Sequence, residues 1–300
     1  MSVRHFLDVD DLTADELETV LDRATALKTG AGPAAPDAPL DGATLGMLFE
    51  KPSTRTRTSF ETGMTQLGGH AIFLGPDDIQ LGHGEPIKDT ARAVSRYVDV
   101  LMARMFDHGD VVELAEYATV PVVNGLTDDA HPCQTLADLL TIREHFGGFA
   151  DGTVAWVGDG NNVAQSFVLG AAIVGLDLVV GTPAGYGIDD GVLDRAAELG
   201  AAPETTTDPD AAIADADLVY TDVWVSMGQE DQREEKLEAF DGFRLTAERL
   251  GDRPLMHCLP AHRGEEVTDG ALESDNAIVW DQAENRLHAQ KGLLVWLDER

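Results

Sequence analysis

At 300 residues the chain is long enough for about two domains of ~150 residues each, and 43% of it is hydrophobic, an ordinary soluble globular composition. Its charge is not ordinary: 54 Asp and Glu against 21 Lys and Arg leave a net −33, a surface that repels nucleic acid and anionic membrane. Two cysteines, Cys133 and Cys258, make no disulfide framework, the first residues form no signal peptide, and no apolar run reaches about 18 residues, which together point to a cytoplasmic protein.

Thr13-Ala14-Asp15-Glu16 reads as a capping box, with Leu17, Val20, Leu21 and Ala24 as the buried stripe of a helix that Gly30 ends. Gly30 to Pro39 is a loop by composition. Leu45 to Phe49 is a short apolar strand, and after a Lys51-Pro52 turn Ser53 can cap a helix carrying Phe60, Met64 and Leu67. That helix opens on Ser53-Thr54-Arg55-Thr56-Arg57, where unpaired first-turn N–H groups, the helix dipole and two arginines all favour an anion such as phosphate. A solvated, capped surface helix is the plain alternative.

A second strand covers His70 to Leu74, and the glycine-rich loop from Gly75 to Pro86 contains Gln80 and His83. Helices over Asp89–Tyr97 and Asp110–Tyr117 alternate with strands over Val98–Met105 and Val120–Val123, so Arg104 falls near the carboxyl end of a strand, where parallel sheets bind ligands. His131-Pro132-Cys133-Gln134 opens a helix to about Phe146, and His131 and Gln134, three apart, share its first turn. Gly147-Gly148 breaks the chain there. The expected boundaries are therefore residues 1–146 plus a returning C-terminal helix, 283–300, for one domain and 147–282 for the other.

Val154–Val157, then Gly158-Asp159-Gly160-Asn161-Asn162 and a helix to Val174, form a βαβ unit with a Gly-x-Gly turn. Val163 stands where a dinucleotide fold needs its third glycine and no acid ends the next strand, so the glycines suit a tight turn, with left-handed geometry a plain reading for one asparagine. Further helices fall at Asp189–Leu199, Asp210–Asp215 and Glu230–Phe240, and a strand at Leu218–Asp222 leads into Ser226-Met227-Gly228. Leu255-Met256 leads into His257-Cys258-Leu259-Pro260, where one cysteine without a partner pair argues against zinc. Ala277–Trp280 reads as the last strand and Ala283–Leu297 as the final helix, with Arg286 near its start.

Four of these stretches, Ser53 to Arg57, His131 to Gln134, Asp222 through Ser226-Met227-Gly228, and His257 to Pro260, occur in the order in which they stand in the aspartate/ornithine carbamoyltransferase family, which the chain resembles over nearly its whole length. The last two resemble the ornithine branch. The resemblance implies an α/β fold of two domains, each a parallel sheet flanked by helices, with the C-terminal helix packing back on the first domain. It implies that Ser53, Thr54, Arg55, Thr56 and Arg104 bind carbamoyl phosphate, that His131 and Gln134 hold its carbamoyl group, and that Cys258, Leu259 and Arg286 line the carbamoyl side. Gln80 matches a loop residue that reaches a neighbouring subunit's site in trimeric relatives. Asn162, Asp222, Ser226 and Met227 are implied to bind ornithine.

The implied reaction is direct attack of the ornithine δ-amine on the carbamoyl carbon, giving citrulline and phosphate, with Arg55, Arg104, His131 and Cys258 as the catalytic groups. It serves arginine biosynthesis or the arginine deiminase pathway and needs no metal or organic cofactor. Arg55 and Arg104 can neutralise the leaving phosphate, Thr56, Arg104 and His131 can donate to the carbamoyl oxygen, and a Cys258 thiolate could orient the amine, unless it is simply a packed small residue. The alternatives are a sister enzyme acting on putrescine or N-acetylornithine and a non-catalytic phosphate or amino-acid binding module. Only five lysines, Lys28, Lys51, Lys88, Lys236 and Lys291, beside abundant Asp and Ala suggest a high-salt cytoplasm.

Overall fold

The computed structural model describes residues 3–30, 38–79, 84–226 and 228–300. These divide into two compact units, Met1–Leu140 with Asn285–Arg300, and Thr141–Glu284.

In the first unit α1 (Ala14–Thr29) begins at the predicted capping box, with Glu16 N–H donating to Thr13 Oγ1, and ends at Gly30 in the left-handed region, φ +65°. There follow β1 (Thr44–Phe49), α2 (Thr54–Gln66), β2 (His70–Leu74), α3 (Ile87–Val94), β3 (Val100–Arg104), α4 (His108–Tyr117), β4 (Val122–Leu126) and α5 (Pro132–Phe146), the last continuing beyond the unit's edge. The strands form one parallel sheet in the order β2-β1-β3-β4. Leu48, Leu101, Ala103, Leu114 and Val122 are in the core between this sheet and its helices.

The second unit runs through β5 (Thr153–Val157), α6 (Asn162–Val174), β6 (Asp177–Gly181), α7 (Asp190–Leu199), β7 (Glu204–Thr206), α8 (Pro209–Ile213), β8 (Leu218–Thr221), α9 (Arg233–Ala239), α10 (Ala247–Leu250), β9 (Leu255–His257) and α11 (Asp269–Leu272). Its parallel sheet has the order β7-β6-β5-β8-β9. Val157, Val219, Leu255 and Val267 are buried in its core, where Trp224 stacks on Phe240 with ring centroids 5.3 Å apart.

α12 (Val279–Asp298) begins in the second unit, but from Asn285 on it belongs to the first. There it packs back as expected: Lys28 Nζ donates to Asn285 Oδ1 at 2.8 Å and Lys291 Nζ to Gln66 Oε1 at 2.8 Å.

Three local expectations are corrected. Ala277–Trp280 is no strand: Ala277 makes a single bridge to Leu255, and helix α12 has already started at Val279. β-branched Ile278 and Val279 gave the strand signal, which the helix overrides by burying Val279 in the second core. The Glu230–Phe240 helix is a 3₁₀ turn, Glu230–Gln232, followed by the shorter α9. Neither Asn161 nor Asn162 is left-handed; Asn161 caps α6, its Oδ1 accepting from Val163 N–H and Ala164 N–H at 3.0 and 3.1 Å.

Candidate functional sites

Each sheet reverses its strand order once, between β1 and β3 in the first unit and between β5 and β8 in the second. A crevice outside the carboxyl ends of the strands at such a switch point is the usual ligand site of an open parallel sheet. Ser53 to Thr56 after β1 and Arg104 at the end of β3 flank the first switch point, and Asn161 and Asn162 after β5 and Asp222 after β8 flank the second.

In the first unit β1 delivers Lys51 and, through the capped start of α2, Ser53 to Arg55 and Thr56. Ser53 Oγ accepts from Thr56 N–H at 3.3 Å, which fixes the first turn. β3 delivers Arg104, paired in register with Phe49 of β1, and a register shift against β4 falls between Ala103 and Arg104. Such an irregularity re-aims a side chain next to a site. The loop after β4 delivers His131, and α5 supplies Gln134.

Three groups are tied together by α12. Arg286 donates from Nη1 to Gln134 Oε1 at 2.6 Å and from Nη2 to Thr56 Oγ1 at 3.2 Å, while Gln134 Nε2 donates to Asp138 Oδ1 at 2.8 Å. Thr56, Gln134 and Arg286 are all buried, so these bonds hold them in fixed positions. Ser53 is half-buried, and Thr54 and Arg55 are exposed.

His131 is where the electrostatics converge. Burial, and then the positive charges of Arg286, Arg104, Arg55 and Lys51, hold its imidazole well below the usual histidine range. The ring is therefore neutral at pH 7 and sits in the field of four cations. Neighbouring Cys133 is buried and inert, its thiol pushed up to about 12 by burial.

In the second unit β5 ends in the Gly158–Asn161 turn. A side chain at Gly160 would meet the Gly187 carbonyl at 2.4 Å, and Gly160 N–H donates to Tyr186 O at 2.8 Å. Gly160 serves close backbone packing, which accounts for the second glycine of the Gly-x-Gly pattern without a nucleotide.

Asp222 directly follows β8 and is buried, with Oδ2 accepting from Asn161 Nδ2 at 2.9 Å and Oδ1 from Cys258 Sγ at 2.9 Å. A thiol at Cys258 can donate this bond to the carboxylate. Asn162 is half-buried at the first turn of α6; it is the adjacent Asn161 that reaches Asp222. Ser226 N–H donates to Gln229 Oε1 at 3.4 Å, and Lys236 Nζ donates to the same oxygen at 2.8 Å. Leu259 is half-buried against the second core. Gln80 and Met227 lie outside the described residues.

Several participants escaped the sequence reading. Lys51, 2% exposed, ion-pairs with Asp128, lies over the Phe106 ring at 4.2 Å and contributes to the field on His131. Its place just past the end of an apolar strand was the available signal. Lys236 pairs with buried Asp159 at 2.6 Å, within a helix whose pattern of charges reads as solvated. Asp138, as the partner of Gln134, had a weaker signal, an acid one helical turn later.

Comparisons with known proteins match two successive stretches of the chain. Residues 4–144 match the family profile of the aspartate/ornithine carbamoyltransferase carbamoyl-P binding domain, and residues 150–297 match that of the Asp/Orn binding domain. The chain is 69% identical over 295 residues to an ornithine carbamoyltransferase of Haloquadratum walsbyi, covering 98% of this chain and 97% of that one. It superposes on the ornithine carbamoyltransferase of Pyrococcus furiosus with a TM-score of 0.92 at 51% identity, covering 98% and 96% of the two chains. The anabolic ornithine carbamoyltransferase of Campylobacter jejuni gives a TM-score of 0.93 at 39% identity, with 99% of both chains covered.

Proposed function

The chain belongs to the aspartate/ornithine carbamoyltransferase family, and from that premise we propose that it transfers the carbamoyl group of carbamoyl phosphate to the δ-amine of L-ornithine, giving L-citrulline and phosphate. The observation that carries this reading is the neutral, buried His131 among Lys51, Arg55, Arg104 and Arg286. Cations in that number suit a phosphate dianion, and a neutral imidazole can donate a hydrogen bond to a carbamoyl oxygen without adding a fifth positive charge.

The chemistry follows from these groups. The N–H groups at the start of α2, with Ser53, Thr54, Arg55 and Arg104, hold the phosphate and stabilise it as its charge grows on leaving. Thr56, His131 and Gln134 orient the carbamoyl group, with Arg286 fixing both Thr56 and Gln134. As the neutral amine attacks, charge develops on the carbamoyl oxygen; each preorganised donor aimed there is worth about 10²–10³ in rate. Asp222 receives the ornithine ammonium group, Asn162, Ser226 and Met227 are the further ornithine-binding residues, and Cys258 hydrogen-bonds the Asp222 carboxylate. Cys258 and Leu259 line the carbamoyl side.

The active form is proposed to be a homotrimer in a high-salt cytoplasm, with Gln80 reaching a neighbour's site. Edge strand β2 supports such an interface: Ile72 on it and Tyr97 near it are 39% and 77% exposed. No helix among the described residues is long and apolar enough to cross a membrane.

The test is citrulline formation from carbamoyl phosphate in molar KCl, with ornithine, putrescine, N-acetylornithine and aspartate as competing acceptors. Strong preference for ornithine is expected. Preference for another amine would keep the phosphate half of the assignment and overturn Asp222, Ser226 and Met227 as an ornithine site, and no turnover by folded protein would overturn the whole.

A further inference from the structure

Leu259 is the one described residue other than glycine with a positive φ, +59°. A leucine resists that conformation because its Cβ crowds the following carbonyl, so something must hold it. The group in place is the side chain two residues earlier: Leu259 N–H donates to His257 Nδ1 at 2.9 Å. Because Nδ1 accepts, the ring proton is on Nε2, which donates to Glu266 Oε1 at 3.1 Å. Both side chains are wholly buried.

Glu266 is anchored in turn, with Oε1 also accepting from His262 N–H at 2.5 Å. The backbone N–H of His257 donates to Gln282 Oε1 at 2.8 Å. His257 is thus fixed at its backbone and at both ring nitrogens. Cys258, between this anchor and the left-handed Leu259, has its Sγ 2.9 Å from Asp222 Oδ1.

We infer that His257 and Glu266 are a positioning pair: Glu266 fixes the imidazole so that Nδ1 accepts, and that acceptor holds Leu259 left-handed and thereby sets Cys258 and the Leu259 backbone against Asp222 for the amine substrate. The pair touches no reacting atom. Its effect on turnover rests on the ornithine reading above, whereas its effect on Leu259 does not.

Two near-isosteric variants separate its halves. In His257→Asn the amide oxygen takes the place of Nδ1 and still accepts from Leu259 N–H. In His257→Gln the amide reaches toward Glu266 and that acceptor is lost. Releasing a strained residue of this kind corresponds to about 10- to 100-fold in rate. The H257Q variant is therefore expected to lose about 10- to 100-fold in kcat/KM for ornithine, and H257N to stay within about threefold of wild type.

The same change is then made in a Leu259→Gly background. Glycine adopts positive φ without being forced, so there H257Q should cost less than about threefold. A merely structural histidine would cost the same in both backgrounds. Equal loss in H257N and H257Q, or an unchanged cost beside L259G, overturns the proposal. Should wild type make no citrulline, the proposed reaction fails; the pair is then decided by crystal structures, where residue 259 must return to negative φ in H257Q and stay positive in H257N. A positive φ in both overturns it.

Discussion

The imidazole of His131 gives a stability signature that can be calculated and isolated. Its unfolded form takes up a proton near pH 6.5, whereas burial and the charges of Arg286, Arg104, Arg55 and Lys51 keep the folded form neutral well below that. Between those two pKa values the unfolded state binds more protons, so stability rises with pH there and is lost as pH falls below about 6.5. With the folded ring still neutral, moving from pH 7.5 to 5.5 removes about 1.4 kcal/mol, one unit of proton linkage. Many other groups titrate over the same range, so the quantity to measure is a difference. Urea unfolding of wild type and His131→Asn at both pH values, in molar KCl, should show wild type losing about 1.4 kcal/mol more than the variant on acidification. Saturating inorganic phosphate should shrink that gap, because a bound anion offsets the cations that oppose protonation. Identical pH dependence in the two proteins would mean that folded His131 titrates like an exposed histidine, and would refute the neutral-imidazole argument together with the role built on it.

Two further predictions follow from the second unit and from the charge. Lys236→Met should destabilise the protein by about 3–5 kcal/mol, because it strands the buried carboxylate of Asp159, whose pKa burial already raises. It should also raise KM for ornithine, since Gln229, which accepts from Ser226 N–H, loses its anchor; adding Asp159→Asn should recover most of the stability, and a melting temperature unchanged in Lys236→Met would refute the pair's role. A net charge of −33 should make melting strongly salt-dependent, with stability falling steeply from molar KCl to 0.1 M as the screening length grows from about 3 to 10 Å. A melting temperature that does not respond to salt would rule out self-repulsion as the governing effect.

The fold was legible where local signals and tertiary context agree. The Thr13 capping box, the Ser53 cap and Gly30 each specify a helix end by their own backbone chemistry, and each does so in the structure. The alternation of short apolar runs with helical periods predicts parallel sheets, and both sheets are parallel. Signals failed where burial decides: Ala277–Trp280 looks like a strand because Ile278 and Val279 are β-branched, but the core takes Val279 at a helix start. In the site, residues that sit in compact motifs could be found one by one. Their supports could not, because partnership across long sequence separations has no local trace. Gln134 and Arg286 are 152 positions apart, Asp159 and Lys236 are 77 apart, and Lys236, read along its own helix, looks like one charge in a solvated row.

The charge balance raises a physical question that the arrangement of cations answers. A chain at −33 repels a phosphate dianion at long range, yet its first unit gathers Lys51, Arg55, Arg104 and Arg286 around one imidazole. Salt acts differently on the two parts. At molar ionic strength the screening length is about 3 Å, so the diffuse repulsion from surface carboxylates is removed within a water layer or so. Buried charges are screened much less, and Lys51, Arg104 and Arg286 are each less than a tenth exposed. High salt therefore suppresses the unfavourable far field and leaves much of the attraction of the buried cations. On this argument the acidic surface and the anion site are compatible only because they act at different ranges, and lowering the salt should weaken phosphate association before it unfolds the chain.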